Sequence, residues 1–222
     1  MCFSVTASFT ASIALITCSI AALRRAHEKK LKMIAAIPLL FGLQQFAEGM
    51  VWLSFLYPRF ESIRMFAAYI FLTCAGVLWP LWIPIATARF EGAHRYKRYL
   101  PSLIAGGFCS LAFVVYVLFY SISVTAKCNV IYYFGGIDGH QSMWAHSMDI
   151  IASVLYVVAT IVPFFIARNT MLWFLGALVA VAYGVSYVAY YEAFASVWCF
   201  FAAIISLLVY GFICLPSHKI KK

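Results

Sequence analysis

Charge is the scarcest commodity in this chain. Of its 222 residues only 10% are charged, and 7 are acidic. A soluble domain carries about 25% charged residues, so this chain has too few to cover a water-facing surface. With 65% hydrophobic residues and a mean hydropathy of +0.95, the solvent it is built for is lipid. Histidine is scarce as well, at 5 residues, and they are badly distributed for metal chemistry. His27, His94 and His218 fall on one side of the apolar runs, with His140 and His146 on the other. That excludes a membrane hydrolase built on several helical histidines around one zinc. The last apolar run contains no lysine, which excludes a retinal Schiff base. No linker, low-complexity tract or separate soluble domain interrupts the chain, so it reads as one transmembrane helical domain over 1–222.

What the sequence does have is long apolar runs. A hydrocarbon core about 30 Å thick asks for roughly 20 residues of helix. Seven stretches qualify: Phe3–Leu23, Met33–Tyr57, Met65–Ala88, Ser102–Ser123, Ser147–Ala167, Met171–Tyr190 and Ala193–Leu215. Transmembrane strands would be about half as long and would alternate apolar with polar. The expected fold class is therefore all-α, a polytopic bundle of seven transmembrane helices. The longest connection, Val124–His146, carries "YYFGGIDGH", whose glycines suggest turns.

Basic residues are abundant only in particular places. Of 16 lysines and arginines, 13 follow the first, third, fifth or seventh run, and only Arg59, Arg64 and Lys127 fall on the opposite side. The positive-inside rule then puts the N-terminus outside and the C-terminus in the cytoplasm, in the cell's inner (plasma) membrane. The formal charge of +9 is explained by topology and calls for no nucleic acid. The partner it implies is the bilayer itself, with anionic lipid headgroups at the cytoplasmic face. The first run lacks a basic stretch before it, which suits an uncleaved anchor better than a signal peptide. It is rich in small residues from Ser4 to Ser12, which suggests a central place in the bundle.

One run is marked by polar residues. In "LLFGLQQFAEGMVW", Gln44 and Glu48, and Glu48 and Trp52, are each four apart, and Gln45 precedes Glu48 by three. Residues so spaced share a helix face. Glu48 lies about 13 Å from the end of its span at 1.5 Å per residue. A carboxyl there must be neutral or paired, and such residues usually face the bundle interior and mark a site. No span holds a central lysine or arginine, so an ion pair in the core is excluded. Gln44 and Gln45 are the expected hydrogen-bond donors to Glu48. The bland alternative is that the same bonds are only glue between helices.

Other candidates are weaker. His146 and Asp149 in "WAHSMDI" are three apart and could join Glu48 in a ligand or ion site, yet capping by Ser147 and the helix dipole would also explain them. Glu192 is expected to be solvated. Cys18, Cys74, Cys109, Cys199 and Cys214 read as small apolar fillers, while Cys2 and Cys128 could meet in a disulfide on the oxidising side. "LWPLWIPIA" places Pro80 and Pro84 where the third helix should kink or unwind, with Trp79 and Trp82 as interfacial anchors. No motif names a cofactor or a metal site.

"MCFSVTASF", "IPLLFGLQQFAEGMVWL" and "WPLWIPIA" resemble a family of small bacterial multi-pass membrane proteins that open Met-Cys-Phe-Ser, over about residues 1–88. The resemblance implies that Cys2, Gln45, Glu48, Trp52, Pro80 and Pro84 belong to a family pattern, with no role attached. The leading functional expectation is an outward-facing polar cavity around Glu48 that binds or passes a small ligand, cation or proton. Gln44, Gln45 and Trp52 would form it, with His146 and Asp149 at its mouth. Alternatives are a membrane-embedded enzyme on lipid-like substrates with Glu48 as acid/base, and a structural or assembly subunit. Oligomeric state leaves no trace in the sequence.

Two predictions follow from the placement of charge and thiols. On intact cells, an impermeant maleimide is expected to label Gly136→Cys and to spare Gly92→Cys; the reverse pattern would invert the topology. Mass spectrometry of unreduced peptides from the native membrane is expected to find Cys2 linked to Cys128, and two free thiols there would end that idea.

Overall fold

The structure, a computed structural model, describes residues 4–127, 129–134 and 143–214, without the side chains of Ala93, Phe134, Cys214 and residues 143–149. The helices are α1 (Val5–Arg25), α2 (Lys29–Ala35), α3 (Ile37–Leu56), α4 (Arg64–Thr73), α5 (Trp79–Glu91) and α6 (Tyr96–Phe119). A hairpin of β1 (Ile122–Ala126) and β2 (Val130–Phe134) comes next. The chain then continues through α7 (Met143–Thr160), α8 (Val162–Ile166), α9 (Thr170–Ala189) and α10 (Phe194–Cys214). Taking α2–α3, α4–α5 and α7–α8 as broken single rods gives seven helical segments. Among the described residues six of them are long and apolar enough to cross a membrane, and Ile150–Ile166 is a shorter apolar stretch. By helix composition this is a multi-pass membrane protein.

Breaks fall where proline removes a donor. Pro38 stands at the start of α3 after the break at Ala36, and Pro163 at the start of α8 after the break at Ile161. The largest distortion lies between α4 and α5, where Cys74–Leu78 form a wide π turn just ahead of Pro80. The kink expected there is thus a widening rather than a gap. Side chains from neighbouring helices take up carbonyls in and beside the wide turn. The Tyr156 hydroxyl donates to the Ala75 carbonyl at 2.8 Å, Ser110 Oγ to Val77 at 3.4 Å, and Gln44 Nε2 to Phe71 at 3.3 Å. Such capture is what tolerates a broken helix in lipid. Further along α5, Pro84 has no N–H to offer the Pro80 carbonyl. Gly106 of α6 presses against that carbonyl, so closely that a Cβ there would collide with it.

At the centre is α3, with 67% of its apolar window buried against 28% for α1 and 22% for α6. The small residues of α1 do serve close packing: Ser8, Ser12 and Ser19 are buried, and Gly42 and Gly49 of α3 admit Ile16 and Phe9 of α1. They line only one face, however. Ile13 is 67% exposed on the other, so α1 is peripheral rather than central as its composition suggested. The fourth span also ends sooner than expected, at Phe119, because the chain turns extended and alternates from Ile122. Ile122, Val130, Ile131 and Tyr132 are buried on a cluster with Val51, Phe71 and Val197, so the hairpin caps one end of the bundle. At that end Arg64 donates to the Ser54 carbonyl at 3.0 Å, joining the last turn of α3 to α4. At the opposite end Glu91 accepts from Arg95 at 2.7 Å and from the Arg168 backbone N–H at 3.2 Å.

Gly106 and Gly107 give a paired test of the α5–α6 contact. Gly106→Ala is expected to destabilise by about 1–3 kcal/mol through overpacking. Gly107→Ala, which meets nothing within 4 Å, is expected to be neutral or to stabilise by up to about 1 kcal/mol through helix propensity. Thermal unfolding in detergent measures both, and equal effects would refute the close approach.

Candidate functional site

The buried face of α3 carries Gln44, Gln45, Glu48 and Trp52, all inside the protein, with Glu48 only 1% exposed. Their spacing on the helix was legible; their partners were not. Gln44 does not donate to Glu48 as expected. Its Nε2 donates to the Phe71 carbonyl at 3.3 Å and to Cys199 Sγ at 3.4 Å, and its Oε1 accepts from Trp79 Nε1 at 2.6 Å. The amide thereby ties α3 to α4, α5 and α10, and every polar position of its side chain is used. Trp79 is 3% exposed and stacks on Phe41 with ring centres 3.9 Å apart. It is a core residue and not an interfacial anchor. Trp82, the second expected anchor, is half-buried and donates to the Met33 carbonyl at 3.2 Å.

Glu48 faces α10 instead. Ser196 Oγ donates to its Oε1. The Gln45 amide lies beside the carboxyl, but neither its nitrogen nor its oxygen makes a hydrogen bond of acceptable geometry. From the hairpin, Tyr132 reaches the neighbourhood of Glu48, its ring stacked on Phe71 at 5.1 Å and its hydroxyl without a partner. Trp52 Nε1 is buried and unpaired too. Each of these unpaired atoms is sealed from solvent. The three ion pairs among the described residues, Lys30–Glu28, Arg64–Glu61 and Arg95–Glu91, do not involve Glu48.

Chemically, the arrangement suits a carboxyl that changes its proton. A neutral Glu48 needs an acceptor for its O–H, which the oxygen of the neighbouring Gln45 amide would provide once the amide turns. An ionised Glu48 needs donors, and Ser196 Oγ and Gln45 Nε2 can supply them. Rotating one amide by half a turn serves either state. No comparable latitude exists at Gln44, whose amide nitrogen and oxygen are both engaged.

The remaining expectations divide. Glu192 is exposed, as expected of a solvated turn residue. Ser147 is not the cap of its helix, because α7 begins at Met143 and Ser147 lies in its second turn. The side chains of His146 and Asp149 lie outside the described residues, as do Cys2 and Cys128. Among the described residues no three His, Cys, Asp or Glu side chains converge as a metal site. Sequence reasoning missed Trp79, Tyr132, Ser196 and Cys199. A serine or a cysteine in an apolar span is common, so nothing local distinguished these from fillers.

Two interior spaces lie near the site without reaching Glu48. One is a narrow apolar cavity of ≈ 50 Å³ that runs from Cys199 towards Val209. The other is a cleft of ≈ 300 Å³ between α7 and the α9–α10 pair. Among the described residues Glu48 is buried, and the residues expected at the mouth of a polar cavity, His146 and Asp149, lie outside the described side chains. No curated protein and no solved structure matches the chain. A family model matches residues 1–220, well beyond the stretch that carries the sequence resemblance, and the chain belongs to that family, a family of unknown function (DUF6629).

Proposed function

We propose that this is a multi-pass protein of the plasma membrane, N-terminus outside and C-terminus in the cytoplasm, whose site at Glu48 binds and exchanges a proton. Of the three occupants the sequence admits, a small ligand, a cation or a proton, only the proton needs no volume. The observation that carries this choice is a fully buried carboxyl with Ser196 as donor, the Gln45 amide beside it and no cation paired to it among the described residues. Buried polar atoms in native proteins are almost always paired, and an intramembrane acid is a functional position by default. A cation would have to displace packed side chains to reach Glu48. A proton changes only which atoms donate. His146 and Asp149 remain candidates for the outer mouth of the path.

Close packing also favours a second reading, a structural subunit in which a permanently neutral Glu48 is glue. Infrared difference spectra of reconstituted wild type and Glu48→Gln separate the two. Subtracting the variant is expected to isolate one carboxylic-acid C=O band belonging to Glu48. Under the proton-exchange reading that band fades and returns as pH is cycled between mildly acid and mildly alkaline. A band indifferent to pH leaves the structural reading, and no band in the wild type sinks both. Glu48→Gln is expected to fold normally, since glutamine keeps the shape and accepts from Ser196. Glu48→Ala is expected to lose roughly 0.6–2 kcal/mol for the intramembrane bond it deletes, read as a lower unfolding midpoint.

A further inference from the structure

The α7–α8 rod is held unevenly. α7 packs on α5 and α6, and it is α8 that packs on α9, which itself lies on α10. Between α7 and the α9–α10 pair the contacts are made by aromatic side chains. Tyr156 of α7 meets Trp198 of α10 at 5.2 Å between ring centres, and Tyr183 of α9 meets Trp198 at 5.2 Å and Phe194 at 5.0 Å. What this leaves is the ≈ 300 Å³ cleft, floored by Leu72, Ala75 and Cys199 and closed at the back by Phe113.

Three properties restrict what can fill it. Its rims lie in the lipid-facing belt: Ile151 and Val154 of α7 are 52% and 57% exposed, and Val181 of α9 is 65% exposed. Its wall is mostly apolar, built by Leu72, Ala75, Phe113, Ala152, Phe194 and Ala195, and the Tyr156 hydroxyl in it already donates to the Ala75 carbonyl. Its volume is room for on the order of ten groups the size of water or methylene. The species of that size, polarity and abundance at the mouth is a hydrocarbon chain.

We infer that the cleft is a binding site for one acyl chain of a bilayer phospholipid, which fills the gap between α7 and the α9–α10 pair. The chain lies against Tyr156 and Leu72, so it also backs the side chain that holds the wide turn at Ala75. Nothing in this depends on a proton at Glu48.

The experiment uses the full chain in phosphatidylcholine nanodiscs doped with a phosphatidylcholine that carries a diazirine in mid-chain. After irradiation, cross-linked peptides are mapped by mass spectrometry. Peptides containing residues 152–156 and 194–198 are expected to be labelled several-fold above those containing Leu118 or Val188, which report ordinary lipid contact. Ala195→Phe fills the cleft from α10 and Ala152→Phe fills it from α7. Either variant that folds, judged by gel filtration, is expected to lose the cleft labelling several-fold and keep that at Leu118 and Val188. Labelling of the cleft no stronger than of the belt, or untouched by the filling variants, overturns the site. A parallel arm with a diazirine-bearing free fatty acid at the same mole fraction tests the source, and preference for the fatty acid overturns the phospholipid assignment.

Discussion

One amide fixes where four helices meet. Gln44 gives both N–H groups and its oxygen to partners on α4, α5 and α10. Among apolar side chains in an apolar solvent there is little hydrophobic force to choose one helix arrangement over another. Directional bonds make that choice. Sliding any of these helices by one turn would leave an amide, an indole N–H or a backbone carbonyl unpaired where no water can replace the partner. The Phe71 carbonyl that Gln44 engages lies just ahead of the wide turn, and Trp79 begins the helix just after it. Gln44 therefore spans the distortion and sets how far α5 is offset from α4. The Tyr156 and Ser110 bonds then hold the turn from α7 and α6.

The contrast with the next residue is informative. Gln45 is as deeply buried as Gln44 and has the same groups, yet none of them is paired. A saturated amide holds structure and an unsaturated one has freedom to change partners. Two neighbours on one helix thus differ in kind: Gln44 orients helices, and Gln45 stands beside the buried carboxyl. Glu48 lies on the unsaturated side, with a single hydroxyl donor from Ser196.

The sequence carried this division only in part. Long apolar runs without alternation were enough for the helices, because span length and backbone satisfaction leave few alternatives in lipid. The polar stripe on α3 was legible because helical spacing alone puts Gln44, Gln45, Glu48 and Trp52 inside together. Which of them met which partner was not, since every partner comes from a remote segment. Trp79 has the composition of a membrane-interface anchor, and only its contact with Gln44 and Phe41 reveals a core residue. The five-residue strands "ISVTA" and "VIYYF" were concealed because β1 continues the apolar run of α6 with too short an alternation to stand out. Small residues in α1 correctly signalled close packing, but packing on one face does not make a helix central.

Phe71 joins the rigid part of the site to its cover. Its carbonyl belongs to the Gln44 junction, and its ring carries Tyr132 of the hairpin at 5.1 Å. Tyr132 in turn sits beside Glu48. Under the proton-exchange proposal, a proton arriving from the hairpin end would meet this stacked pair. The backbone of Phe71 is fixed by a helix bond and by Gln44, so the yielding partner is Tyr132. It stands on a two-stranded hairpin, an element that is marginal on its own and is held here by the apolar burial of Ile122, Val130 and Ile131. Its phenol hydroxyl is unpaired, so no hydrogen bond has to break for the ring to move. The cover over the carboxyl is therefore held by apolar contacts of the hairpin, while the carboxyl itself is held by a polar contact from Ser196 of α10.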